Sequence, residues 1–138
     1  MISGRWRLAS LSAFTFGLSL GILSLHPTAA SAASPIATLD VDHDGTLDLA
    51  EAKKAASAIF NQLDKDQDST LDLKEAGSRL SVEEFHEADL DDDKTVSRAE
   101  YLALVEKLFN TTDRDKDGTL DAKELDSKAG LALTHLIQ

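Results

Sequence analysis

Apolar residues fall into patterns of different kinds along the chain, and those patterns divide it. From Leu8 to Leu25 the apolar run is diluted only by Ser, Thr and similarly small residues. Farther on, Leu49, Ala52, Ala55, Ala56, Ile59, Phe60 and Leu63 recur at helical spacing and so share one helix face. Tyr101, Leu102, Leu104, Val105, Leu108 and Phe109 repeat the pattern. Each predicted helix is about 15 residues long, or about 22 Å. Gly77-Ser78 interrupt the periodicity, and Ser81-Val82-Glu83-Glu84 reads as a capping box that restarts a helix at Val82. Near the end, Gly130 is expected to set off a last apolar stretch, Leu131 to Ile137, that covers the bundle. Tyr101 and Phe109, at helical spacing, are expected in the core rather than around a ligand.

The polar segments between these stretches repeat as well. They begin at Asp40, Asp64, Asp89 and Asp113, which are 24, 25 and 24 residues apart. Each places carboxylates at positions 1, 3 and 5, an aliphatic residue at position 8 and Glu at position 12. That is the pattern of an EF-hand loop: side chains at 1, 3 and 5 aim oxygens at one point, position 7 offers its carbonyl, position 9 acts directly or through water, and Glu closes the shell with both oxygens. Loop 1 satisfies it with Asp40, Asp42, Asp44, Gly45, Thr46, Asp48 and Glu51. Loop 4 does so with Asp113, Asp115, Asp117, Gly118, Thr119, Asp121 and Glu124. Loop 2 keeps the ligands Asp64, Asp66, Asp68, Thr70, Asp72 and Glu75, but Ser69 occupies the position-6 turn that favours Gly. Loop 3 has Asp89, Asp91, Asp93, Thr95 and Glu100, with Lys94 at the turn and Ser97 at position 9. Loops 1 and 4 are therefore expected to bind best, loop 2 less well and loop 3 least.

Linkers of 12, 13 and 12 residues separate the loops. A single helix must then leave loop 1 and approach loop 2, and another must join loop 3 to loop 4, so the two loops on each helix lie at opposite ends. The predicted fold is an all-α compact helical bundle carrying four EF-hand loops. Its helices are shared between loops 1 and 2 and between loops 3 and 4, and antiparallel packing pairs loop 1 with loop 4 and loop 2 with loop 3.

Charge narrows the function. The 138 residues hold 25 Asp and Glu against 14 Lys and Arg, a formal net charge of −11. Nineteen of those acids occupy ligand positions in the loops. Such a balance opposes binding to nucleic acid or anionic lipid and favours cations. Carboxylate and carbonyl oxygens suit hard ions, whereas the absence of Cys excludes a thiolate site. His43, His86 and His135 have no ligand-spaced partner, so a transition-metal site is not expected. No Cys or other nucleophile stands near a His base, and no enzymatic role is expected.

Arg5 and Arg7, the apolar run and the small residues around Ala30-Ser31-Ala32 read as a secretory signal peptide over residues 1–32, with 33–138 as the four-loop metal-binding domain. A retained membrane anchor is the alternative. With cleavage the protein is expected in the periplasm or secreted, away from the membrane, and its charge becomes −13 through loss of Arg5 and Arg7.

From Ile36 to Gln138 the chain resembles lanmodulin, a family of periplasmic EF-hand proteins that select lanthanides over calcium. The short linkers carry the resemblance, together with Asp117-Gly118-Thr119-Leu120-Asp121-Ala122-Lys123-Glu124-Leu125 and Ala129-Gly130-Leu131-Ala132-Leu133. It implies metal ligands at positions 1, 3, 5, 9 and 12 of each loop. Where that family places Pro at position 2, this chain has Val41, Lys65, Leu90 and Arg114. The expected ligands are calcium or trivalent lanthanide ions at up to four sites, captured or buffered with metal-coupled folding. A calcium sensor that binds a partner protein when loaded is the alternative, although no protein partner is named by the sequence and the only Met is Met1.

Overall fold

A computed structural model describes residues 35–138. The predicted signal peptide, residues 1–32, lies outside them. In chain order, α1 (Pro35–Leu39) leads into loop 1 with β1 (Leu47–Asp48), then α2 (Leu49–Leu63) into loop 2 with β2 (Thr70–Leu71). Helices α3 (Leu73–Ala76) and α4 (Val82–Ala88) follow, then loop 3 with β3 (Val96–Ser97) and α5 (Arg98–Thr112). Loop 4 carries β4 (Thr119–Leu120), and α6 (Ala122–Leu125) and α7 (Lys128–Ile137) complete the chain. Among the described residues no helix is long and apolar enough to cross a membrane.

The same side chains that define the loops also start the helices. Asp48 and Glu51 form a capping box on α2, as do Asp72 and Glu75 on α3, Ser97 and Glu100 on α5, and Asp121 and Glu124 on α6. Each satisfies two backbone donors that a helix start otherwise leaves open. Ser81 and Glu84 do the same for α4. The next loop's first Asp ends the preceding helix: the amides of Asp64, Asp89 and Asp113 donate back to Phe60, Phe85 and Phe109. Each loop is thus bounded on both sides by its own candidate ligand residues.

Two antiparallel ladders join the loops. In one, Leu47 faces Leu120 and Asp48 faces Thr119; in the other, Thr70 faces Ser97 and Leu71 faces Val96. Loop 1 therefore lies beside loop 4, and loop 2 beside loop 3. The four position-8 residues, Leu47, Leu71, Val96 and Leu120, are fully buried, so each ladder also feeds the core.

That core lies where α2, α5 and α7 meet. Ala52, Ala56 and Phe60 of α2 pack with Tyr101, Leu104, Val105 and Phe109 of α5 and with Leu133, Leu136 and Ile137 of α7. Phe60 and Tyr101 meet edge to face at 5.8 Å. The Tyr101 hydroxyl donates to the Leu136 carbonyl at 2.7 Å, which satisfies the one polar atom that ring brings inside. Burial there pushes its pKa up to about 12. Gly130 does not set off the last helix as expected. It lies inside α7, which Ser127 caps, because a Cβ at residue 130 would stand 2.5 Å from the Glu124 carbonyl oxygen and from the Leu125 backbone. Its role is close approach.

Candidate metal centres

In every loop the fold brings together the carboxylates of positions 1, 3 and 12. Ligand oxygens of Asp40, Asp42 and Glu51 lie within 4.8 Å of one another, as do those of Asp64, Asp66 and Glu75, of Asp89, Asp91 and Glu100, and of Asp113, Asp115 and Glu124. Three carboxylates at that separation repel one another unless a cation lies among them.

Backbone amides aim the oxygens. The first Asp accepts the position-6 amide through Oδ2, from Gly45 at 2.9 Å, Ser69 at 3.2 Å, Lys94 at 3.0 Å and Gly118 at 3.1 Å. The closing Glu receives two amides. Its Oε1 accepts from position 2, as Lys65 to Glu75 and Arg114 to Glu124 at 2.8 Å, and its Oε2 accepts from position 9. Loops 1 and 3 repeat both bonds.

Positions 5 and 9 stand differently. The carboxylates of Asp44, Asp68, Asp93 and Asp117 each accept both the amide and the hydroxyl of the Thr two residues on. Asp48, Asp72 and Asp121 spend one oxygen as helix caps. Each keeps its second carboxylate oxygen for another partner. The Thr hydroxyls escaped the sequence reading, although Asp-x-Thr recurs in all four loops and marks such turns. Ser97, the position-9 residue without a carboxylate, uses its hydroxyl on Glu100.

Charge and hydrogen bonding divide the acids. For Asp42 the Asp44 amide favours ionisation, but desolvation and the charges of Asp44 and Glu51 outweigh it and raise the pKa. Asp115 is raised in the same way against the help of the Asp117 amide. Burial works against ionisation of Asp40, and the amides of Gly45, His43 and Asp44 more than reverse it. The Thr70 hydroxyl and amide lower Asp68, and the Thr119 amide and hydroxyl lower Asp117. For Glu100 desolvation is likewise outweighed, by bonds from Ser97 and Leu90. Position 3 of loops 1 and 4 is thus where the repulsion shows, and a bound cation would relieve it.

Two backbone positions in each loop are left-handed. Position 6 has φ of +89° at Gly45, +74° at Ser69, +71° at Lys94 and +90° at Gly118. Position 4 has φ between 61° and 63° at His43, Gln67, Asp92 and Lys116. For a residue with a Cβ that conformation costs about 1–2 kcal/mol. Loops 2 and 3 carry the cost at both positions, whereas Gly45 and Gly118 avoid it at position 6. The position-4 turn had no glycine to signal it.

Loop 2 supplies the most direct test of fit. In the other loops Oδ1 of the first Asp accepts an amide, from His43, Asp93 or Lys116. Asp64 Oδ1 is buried and has no hydrogen-bond partner. A buried carboxylate oxygen is rarely left unpaired, and an all-oxygen donor set of this kind suits a hard cation. At loop 4, Asp115, Asp121 and Glu124 line a cavity of about 220 Å³ that Arg114 and Lys123 flank.

Helix, acidic loop and capped helix, four times over, define a cation-binding helical protein. Residues 104–127, from the second half of α5 through loop 4 to Ser127, match the EF hand family model. No match to a curated protein was found. The family match and the four carboxylate groups together support EF-hand character and metal binding, calcium included, at up to four sites.

Proposed function

We propose that this chain is an exported protein that captures or buffers hard cations, calcium or trivalent lanthanides, and folds as it binds them. The observation that carries the reading is the fourfold grouping of position-1, -3 and -12 carboxylates, with Asp64 Oδ1 left for a cation to complete. Positions 5 and 9 would add Asp44, Asp48, Asp68, Asp72, Asp93, Asp117 and Asp121, and Thr46, Thr70, Thr95 and Thr119 would offer carbonyls. Five carboxylates around a divalent ion leave three negative charges in excess, and a trivalent ion leaves two, which tilts loops 1, 2 and 4 towards high charge. In this reading the loops act as the pairs 1 with 4 and 2 with 3, the first pair filling first, and the protein is lanmodulin-like, periplasmic or secreted after cleavage near Ala32, with no catalytic role.

Competition between terbium and calcium tests it. Tyr101, the sole Tyr and next to Glu100, is the ring expected to sensitise terbium luminescence, and Trp6, the sole Trp, precedes the proposed cleavage site. A lanthanide-selective protein keeps its terbium against a large calcium excess; displacement by equimolar calcium would leave a calcium protein. No terbium luminescence, in a protein whose circular dichroism neither terbium nor calcium changes, would end the reading.

A calcium-sensor role draws on one observation. Val41 and Leu90, equivalent positions in loops 1 and 3, are 58% and 73% exposed beside pockets of about 190 and 200 Å³. Pull-downs with and without metal separate sensor from buffer.

A further inference from the structure

Contacts from the flank of each loop converge on α7. At loop 4, Gly130 lets the helix lie directly on Glu124 and Leu125. At loop 3, Tyr101, which follows Glu100, donates to the Leu136 carbonyl. At loop 2, Arg79, just past α3, donates from Nη1 to the His135 carbonyl at 3.1 Å. At loop 1, Gln138, which ends α7, donates from Nε2 to Thr38 Oγ1 at 3.0 Å, just ahead of Asp40.

Resting on the metal-binding reading above, we infer that α7 is a shared positioning element for the four loops, so that filling one site readies the others. The last carbonyls of a helix have no partner within it. In α7 two of them are taken up by residues attached to loops 2 and 3, so this end of the helix is complete only when both flanks are in place. The closing Glu of every loop is also the third residue of the helix that follows. When it draws onto a cation, the first turn of that helix moves with it. Two of these helices, α2 and α5, pack on α7; α6 meets it at Gly130, and α3 reaches it through Arg79. An ion that fixes one closing Glu therefore stabilises the docked α7, and by reciprocity the docked α7 favours the remaining closures.

The test uses the full chain after removal of residues 1–32, titrated with calcium and with terbium, in the wild type, Gly130→Ala and Arg79→Ala. The wild type should fill its sites cooperatively. In each variant the Hill coefficient should fall towards about 1, and the ion concentration needed to fill the last site should rise by between about 5- and 150-fold. A purely structural role for α7 predicts something else: a melting midpoint lowered equally with and without calcium. The positioning role predicts a smaller calcium-induced rise in that midpoint. Should Gly130→Ala not fold, Arg79→Ala, which removes one exposed hydrogen bond to the His135 carbonyl, decides alone. Wild-type cooperativity and an unchanged calcium-induced rise in the folded variants would overturn the coupling, as would a wild type that fills its sites independently. If the wild type took up neither ion, the metal-binding reading would fall and the coupling with it.

Discussion

Three substitutions at position 6 separate the strength of a ligand set from the strain of the turn that holds it. Loop 2 carries the same set of carboxylates as loop 1 and differs at position 6, where Ser69 brings a Cβ to the left-handed backbone that Gly45 adopts freely. Ser69→Gly relieves about 1–2 kcal/mol of strain, and about half of that is returned through the greater freedom of glycine when the loop is open. The net gain at loop 2 should be about 0.5–1 kcal/mol, or roughly two- to fivefold in affinity. Lys94→Gly should gain more, since it also removes a cation from the edge of the site, and Gly118→Ala should lose at loop 4 what Ser69→Gly gains at loop 2. Calorimetric titration with calcium checks all three, and equal affinities across the set would mean that the turn does not limit binding. The residues at positions 1, 3 and 12 were legible in the sequence because their spacing states the geometry. Positions 5 and 9 were read from the sequence as candidate ligands but not as the acceptors that fix the Thr turns and the helix starts. Asp64 Oδ1 was invisible, because its isolation depends on which amides the folded loop happens to aim elsewhere.

At the scale of elements, the two loop pairs are closed by different chemistry. Arg98, at position 10 of loop 3, stands 4.6 Å over the Phe60 ring and donates to Asn61 Oδ1, tying the start of α5 to the end of α2. Position 10 of loop 1 is Leu49. Nearer loops 1 and 4 the same two helices are joined by the Lys53–Glu106 ion pair at 2.7 Å, so the loops strained at position 6 are the ones held by Arg98. Arg98→Leu, which copies loop 1, should cost about 0.5–2 kcal/mol of stability from the lost cation–π contact. It should also weaken binding at loops 2 and 3 more than at loops 1 and 4. Site-resolved NMR titration distinguishes that from a uniform loss, which would make Arg98 a general core contact. Apolar periodicity was enough to place α2 and α5, since fifteen-residue stripes leave little room for another reading. The role of Gly130 was not accessible in the same way. A glycine before an apolar stretch reads locally as a break, and its function depends on the Glu124 carbonyl that tertiary packing brings against it.

For the whole molecule, the question is whether ion binding is large enough to decide folding. Every one of the 25 acids lies at or beyond Asp40, and four groups of three are held within 4.8 Å. An ion present at a hundred times its dissociation constant contributes about 2.7 kcal/mol per site, so four sites amount to about 11 kcal/mol. A domain of this size is typically stable by about 5–15 kcal/mol. The two quantities are comparable, so removing the ions should take away much of the fold rather than trim it. Salt tests the electrostatic origin of that loss. At 1 M the screening length is about 3 Å, against about 8 Å at physiological strength. Repulsion between clusters is then screened, while repulsion within a cluster, over shorter distances and partly out of water, is screened less. Far-UV circular dichroism of chelator-treated protein should therefore show low helicity in dilute buffer, a partial recovery in 1 M sodium chloride, and the remainder only on adding calcium or a lanthanide. Full helicity in chelator at low salt would mean that the apolar contacts of α2, α5 and α7 suffice against the charge.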